Sequence, residues 1–200
     1  TNNNKYLDAN SGLWNQCAGF DHPGLIEVAK KQYEKFAGYH SLFGRLSEET
    51  LELSKKLVEV SPFSNGRVFF CNSGSEANDT MIKMLWMYNA RIGKPNKRKV
   101  ITRINGYHGV TIGASSMTAK PYNKEFGLPS SEFIHVDCPH FWKFGLENET
   151  EEDFSKRMAS NLEKKILQED PDTIAGFVAE PVQGAGGVIP PSKNYFDLIQ

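Results

Sequence analysis

The chain reads as an α/β protein with a mostly parallel sheet, and three observations predict it. Short apolar runs rich in β-formers, at 67–71, 99–104, 132–137 and 173–180, alternate with longer stretches of helical period. Capping-box spacings open two of the helical stretches. Glycine-bearing turns follow three of the short runs, and open parallel sheets receive their ligands at the carboxyl ends of strands.

The elements follow in order. Leu25, Ile26, Ala29, Tyr33 and Phe36 keep helical spacing, as do Leu51, Ser54, Leu57 and Val58. Arg67-Val68-Phe69-Phe70-Cys71 is too short for a helix and predicts a buried strand. The chain turns through Asn72-Ser73-Gly74 into a helix over 76–91, with Ser73 and Glu76 spaced as a capping box. Met81, Ile82, Met84, Leu85, Trp86 and Met87 make that helix apolar on most sides, which predicts burial and places the three methionines in the core. Gly93-Lys94-Pro95 ends it. Residues 99–104 and 132–137 are further strands, separated by a Pro- and Gly-punctuated loop over 120–129. Thr150 and Asp153 open a helix whose inner face is Phe154, Met158, Leu162 and Ile166. Thr173 to Glu180 is a last buried strand, followed by Gly184-Ala185-Gly186-Gly187. No internal repeat or low-complexity segment interrupts the pattern.

Composition narrows the function classes. Hydrophobic residues make up 39% and charged residues 24%, as in ordinary globular proteins. Twenty-three basic residues against 24 acidic ones leave a net charge of −1, without the basic footprint of a nucleic-acid binder. No apolar run reaches the length of a membrane span, so no membrane partner is expected. Cys17, Cys71 and Cys138 are scattered and form no Cys-x-x-Cys pair, which favours a reducing compartment such as the cytoplasm over a disulfide scaffold. Thr1-Asn2-Asn3-Asn4 carries no initiator Met, and Tyr195 to Gln200 stops inside an apolar-periodic stretch. Both ends therefore read as cut, and any targeting segment would lie outside the sequence.

Three turns carry the candidate chemistry. Ser73-Gly74-Ser75-Glu76-Ala77 sits between strand and helix, where free N–H groups and the positive dipole end suit a single phosphate. It lacks the Walker lysine and is not Gly-x-Gly-x-x-Gly; an ordinary N-cap is the alternative. Asn105-Gly106-Tyr107-His108-Gly109 leaves an aromatic–His pair sterically open, to stack on a planar ligand or move protons near neutral pH. A turn in which Tyr107 merely packs is the alternative there. Glu180 closes an apolar strand, so its carboxylate needs a partner, either a ligand or an arginine such as Arg103.

Other patterns are weaker. His135, Cys138 and His140 lie close together without metal-ligand spacing, so no metal is expected. No Gly-x-Ser-x-Gly elbow anchors a hydrolase triad. The sequons at Asn78-Asp79-Thr80 and Asn148-Glu149-Thr150 are read as chance.

Taken in order, Ser73-Gly74-Ser75-Glu76-Ala77-Asn78-Asp79, Tyr107-His108-Gly109 and Glu180-Pro181-Val182-Gln183-Gly184-Ala185-Gly186-Gly187 resemble the class III aminotransferases. Tyr6-Leu7-Asp8-Ala9-Asn10-Ser11-Gly12-Leu13-Trp14, Asp137-Cys138-Pro139-His140-Phe141-Trp142 and Val188-Ile189-Pro190-Pro191 extend the resemblance over the whole sequence. The combination looks most like the ω-amino acid or amine:pyruvate transaminase branch. It implies fold type I, a three-layer sandwich with part of a smaller domain, and pyridoxal 5'-phosphate as cofactor. It divides the chain into residues 1–40, part of the small domain, and residues 41–200, the first section of the large cofactor-binding domain.

The resemblance also implies roles. Gly74 and Ser75 would hold the cofactor phosphate, Tyr107 would stack on the ring with His108 beside it, and Glu180 would sit near the ring's oxygen-bearing edge. Trp14, Leu42 and Val110 would line the substrate pocket; Leu42 stands where this branch often has an aromatic residue, which implies a roomier pocket. The family's Schiff-base lysine, and the aspartate that pairs with the pyridine nitrogen, lie beyond the motif at 180–187. No catalytic residue is therefore expected within these 200 residues, which alone should be inactive. The expected reaction moves an amino group from an amine or ω-amino acid to pyruvate or a similar keto acid, in a homodimer with shared active sites. The alternatives are a γ-aminobutyrate or diaminopelargonate transaminase, or a non-catalytic truncated relative.

Overall fold

The computed structural model describes residues 2–63 and 65–200, and the chain divides into two compact units, 1–69 and 70–200. In the first unit, Asp8 takes the N–H of Asn10 at 2.9 Å and of Gly12 at 2.7 Å. These bonds hold the short turn α1 (Ser11–Trp14), whose four residues all have positive φ. Pro23 opens α2 (Pro23–Lys35) at the position where proline's missing N–H costs nothing. Ser47 caps α3 (Glu48–Val60) by accepting from Thr50 N at 3.2 Å, and Glu48 and Glu49 complement the dipole in its first turn.

The second unit is built on a parallel sheet of β1 (Lys99–Arg103), β2 (Phe133–Val136) and β3 (Ile174–Phe177), in the order β2-β1-β3. Val100 pairs with Phe133 and Ile101 with Ile134, while Ile101 also pairs with Phe177 across the other edge of β1. Alternation sends neighbouring residues to opposite faces. Val100 and Phe133 pack with Ile82 of α4 (Gly74–Arg91) and Met117 of α5 (Ile112–Met117). Ile101 and Ile134 pack with Leu162 of α7 (Glu151–Gln168), while Phe154 and Met158 of α7 meet Tyr195 of α8 (Tyr195–Ile199). A short turn, α6 (Phe141–Phe144), precedes α7. Helices thus cover both faces of the sheet, which is the three-layer α/β arrangement the alternating pattern predicts.

Several details differ from the sequence reading. Residues 67–71 form no regular element and join no ladder among the described residues; β1 already has a neighbour on each side, and Phe69 is exposed. Helix α4 buries one face only. Met81, Ile82, Leu85 and Trp86 turn to the sheet, whereas Met84 and Met87 lie opposite and are exposed, so those two are not core. The 120–129 loop contains a 3-10 turn, Pro121–Phe126, with Asn123 buried. Thr173 belongs to a 3-10 turn before β3, and Val178 continues the pairing by donating to Ile101 O at 2.8 Å. The Thr150 cap forms as expected, accepting from Asp153 N at 3.1 Å. No described helix is long and apolar enough to cross a membrane.

Candidate functional site

The phosphate turn is built by its cap. Ser73 Oγ accepts from Glu76 N at 3.2 Å and Ser73 O accepts from Ala77 N. Glu76 reaches back to the N–H of Asn72 at 2.7 Å, one residue earlier than a strict capping box. Among the described residues, the N–H groups of Gly74 and Ser75 find no acceptor in the protein. A Cβ at Gly74 would meet nothing within 4 Å, so the approach to these groups is open. Ser75 Oγ accepts from Val110 N at 3.0 Å and keeps its proton free to donate. Two free N–H groups and a hydroxyl at the positive end of an 18-residue helix fit a phosphate.

The second turn closes on the first. Gly109 has φ +130°, and a Cβ there would lie 2.4 Å from Ser75 Oγ and 3.0 Å from Ser75 Cα. Only glycine lets the 107–110 segment approach the helix this closely. Tyr107 is 40% exposed, whereas His108 is 9% exposed. Burial, above all other influences, holds the His108 imidazole below its usual range, although Glu180 pulls the other way. His108 is a packed residue whose main-chain N–H donates to Thr118 Oγ1 at 2.8 Å. Val110 stands at the rim, exposed.

Glu180 completes the rim from the segment after β3, which ends at Phe177, so the glutamate stands beyond the strand rather than at its last position. Its carboxylate accepts from Tyr107 N at 3.0 Å and from Gly184 N at 2.9 Å. Arg103 donates to the Glu180 main-chain oxygen rather than to the carboxylate. The Arg103–Glu180 ion pair is thus replaced by bonds from two backbone amides to the carboxylate. Behind this turn Gln183, fully buried, donates to Ile104 O at 2.9 Å and accepts from the Cys138 thiol at 3.1 Å. Burial raises the Cys138 thiol, so it is a structural hydrogen-bond donor rather than a nucleophile.

Gly74, Ser75, Tyr107, Glu180 and Val110 therefore share one rim at the carboxyl end of the sheet, with His108 packed beneath. Trp14 and Leu42 belong to the first unit, where both side chains are exposed. No cluster of three or more His, Cys, Asp or Glu among the described residues is arranged to hold a metal ion. Sequence reasoning missed Asn78, Asp79, Thr118 and Gln183 as the residues that fix the turns. Asn78 and Asp79 stand three and four residues after Ser75, a spacing that puts all three on one helix face and was the available signal.

An open helix start, a partly exposed tyrosine and a rim carboxylate come together at the carboxyl edge of a parallel sheet, where open α/β domains receive their ligands. The family profile described as "Aminotransferase class-III" matches residues 1–200, and the chain belongs to that family. It is similar to the PMP-bound aminotransferase from Vibrio fluvialis, 65% identical, with a TM-score of 0.94 over 97% of this chain and 43% of that one. An ω-aminotransferase from Paracoccus denitrificans is 66% identical, with a TM-score of 0.94 and the same coverage, 97% and 43%. The "Probable gamma-aminobutyrate transaminase 3, mitochondrial" of Oryza sativa subsp. indica is 47% identical over 100% of this chain and 39% of its own length. The chain thus spans about two fifths of these relatives. The fold is that of the fold type I aminotransferases.

Proposed function

We propose that the whole protein is a pyridoxal-phosphate transaminase that moves an amino group from an amine or ω-amino acid to pyruvate or a similar keto acid. One observation carries this reading: the free N–H groups at Gly74–Ser75, the Tyr107 ring and the Glu180 carboxylate occupy a single rim. The 66% identity to the Paracoccus denitrificans ω-aminotransferase, against 47% to the Oryza sativa subsp. indica γ-aminobutyrate transaminase, supports the choice of branch.

When bound, the cofactor supplies an aldehyde that takes up the amino group and a ring that accepts electrons from the substrate carbon. The Gly74 and Ser75 amides and the Ser75 hydroxyl hold its phosphate. Tyr107 offers a ring face for stacking and helps keep water from it. Two backbone amides fix the Glu180 carboxylate at the rim. His108 contributes packing beside the Tyr107 turn. Trp14, Leu42 and Val110 are assigned to the substrate pocket, with Leu42 leaving room for larger substrates. The same reading assigns residues 1–40 to the small domain, a homodimer as the working unit and the cytoplasm as its place.

A panel of amino donors, offered with pyruvate or with 2-oxoglutarate, tests the proposal. Turnover of simple amines or ω-amino acids with pyruvate is the expected result. Use of γ-aminobutyrate alone with 2-oxoglutarate would move the protein to the other branch. No turnover with any pair by the whole protein would overturn the transaminase reading.

A further inference from the structure

Helix α4 presents Ser75, Asn78, Asp79 and Ile82 at i, i+3, i+4 and i+7, which places them on one face. All four meet the segment 108–114. Ser75 Oγ accepts from Val110 N at 3.0 Å, and Asn78 Nδ2 donates to His108 O at 2.6 Å. Asp79 Oδ1 accepts from Ala114 N at 3.0 Å. The segment fits this face only because Gly109 and Gly113 carry no side chain; a Cβ at Gly113 would lie 2.6 Å from Asp79 Oδ1 and 3.4 Å from Ile82 Cδ1.

Asn78 holds the carbonyl of the residue directly after Tyr107. Glu180 holds the Tyr107 N–H. The backbone around this tyrosine is therefore gripped on both sides, once from the segment that follows β3 and once from the helix whose first turn carries Gly74 and Ser75. A rigid helix then sets the separation between the anion turn and the ring face. Loss of the Glu180 grip would leave Tyr107 held to the helix through Asn78, whereas loss of Asn78 would leave the Ser75–Val110 bond, three residues further along, as the nearest tie to the helix.

We infer that Asn78 is a positioning residue, which sets the Tyr107 ring at a fixed distance from the Gly74–Ser75 turn for a ligand carrying both a phosphate and a flat ring. The inference rests on the proposed function, because it requires a ligand that spans both elements. It assigns Asn78 no contact with the ligand. Its effect runs through Tyr107, so removing it acts on recognition of the ring and spares recognition of the phosphate.

The test measures binding of inorganic phosphate and of pyridoxal phosphate to the purified protein by calorimetry, for the unsubstituted chain, Asn78→Leu and Asn78→Ala. Leu keeps the branched shape without a hydrogen-bond donor, and Ala guards against a misfit of the larger side chain. Phosphate affinity should stay within about twofold while pyridoxal phosphate weakens about tenfold, the scale of one lost buried hydrogen bond. In a Tyr107→Ala background, Asn78→Leu should have no further effect on either ligand. Equal weakening of both ligands, or of neither, overturns the positioning role. So does an undiminished Asn78→Leu effect in the Tyr107→Ala background. If the unsubstituted protein binds pyridoxal phosphate no tighter than phosphate, the functional reading fails first, and the role of Asn78 fails with it.

Discussion

The Tyr107 main-chain N–H donates to Glu180 Oε1 at 3.0 Å, a bond between residues 73 positions apart. The other carboxylate oxygen takes Gly184 N at 2.9 Å, so Glu180 joins its own following turn to the tyrosine turn. Replacement by glutamine would put an amide nitrogen where one of these acceptors stands. Glu180→Gln should cost about 1.5–3 kcal/mol, the range for a hydrogen bond to a charged group. Denaturant unfolding of the two proteins checks it, and an unchanged midpoint would show that the two amides find other acceptors.

Two glycines of the site should respond in opposite ways. Gly109→Ala places a Cβ 2.4 Å from Ser75 Oγ at φ +130°, and should destabilise by about 3 kcal/mol from strain and crowding together. Gly74→Ala meets open space at an ordinary φ and should change stability by no more than about 0.5 kcal/mol. Thermal melts of both variants make the comparison.

Ser73 and Ser75, two residues apart, separate folding from binding. Ser73→Ala removes the cap on Glu76 N and should cost about 1 kcal/mol of stability. Ser75→Ala removes the acceptor for Val110 N and the hydroxyl assigned to phosphate. Pyridoxal phosphate titration should show the larger loss of affinity for Ser75→Ala. The reverse order would detach Ser75 from the proposed site.

Acid should weaken the fold in two stages. Burial is the main cause holding His108 and His135 below the ordinary value of 6.5, so the unfolded chain binds more protons there. Their contribution is complete above 6.5 and is lost as pH falls through the lower folded-state values. The hydrogen bonds from Arg157 hold the Glu149 carboxyl down at about 2 against an ordinary 4.5, and that contribution is lost as pH falls from 4.5 toward 2. Unfolding midpoints across the range should show both slopes. Arg157→Met should remove the second and leave the first.

The sheet and its helices were legible because hydrophobic period and burial coincide along most of the chain. Val100 and Ile101 alternate between two cores as a parallel strand demands, and Phe154, Met158 and Leu162 keep one face of α7. Residues 67–71 share the same apolar character but have no ladder to join among the described residues; composition marks a strand's suitability, not its partner. Met84 and Met87 misled for a similar reason, since an apolar side chain says nothing about which face of a helix is covered. At the site, the glycines and Glu180 were visible as residue types. The Asn78 and Gln183 bonds were not, because they join segments far apart in sequence.

The order β2-β1-β3 also fixes a timetable for the growing chain. Strand β1 is the middle strand, yet it is synthesised first, and its second neighbour appears only after the whole of α7 has been made. Until then Ile101 and Val100 have one bare flank, and the Tyr107 turn waits for a glutamate not yet in the polypeptide. Such distant pairings make folding slow and expose an adhesive edge meanwhile. The rim that would receive the ligand is accordingly among the last parts of these 200 residues to take shape.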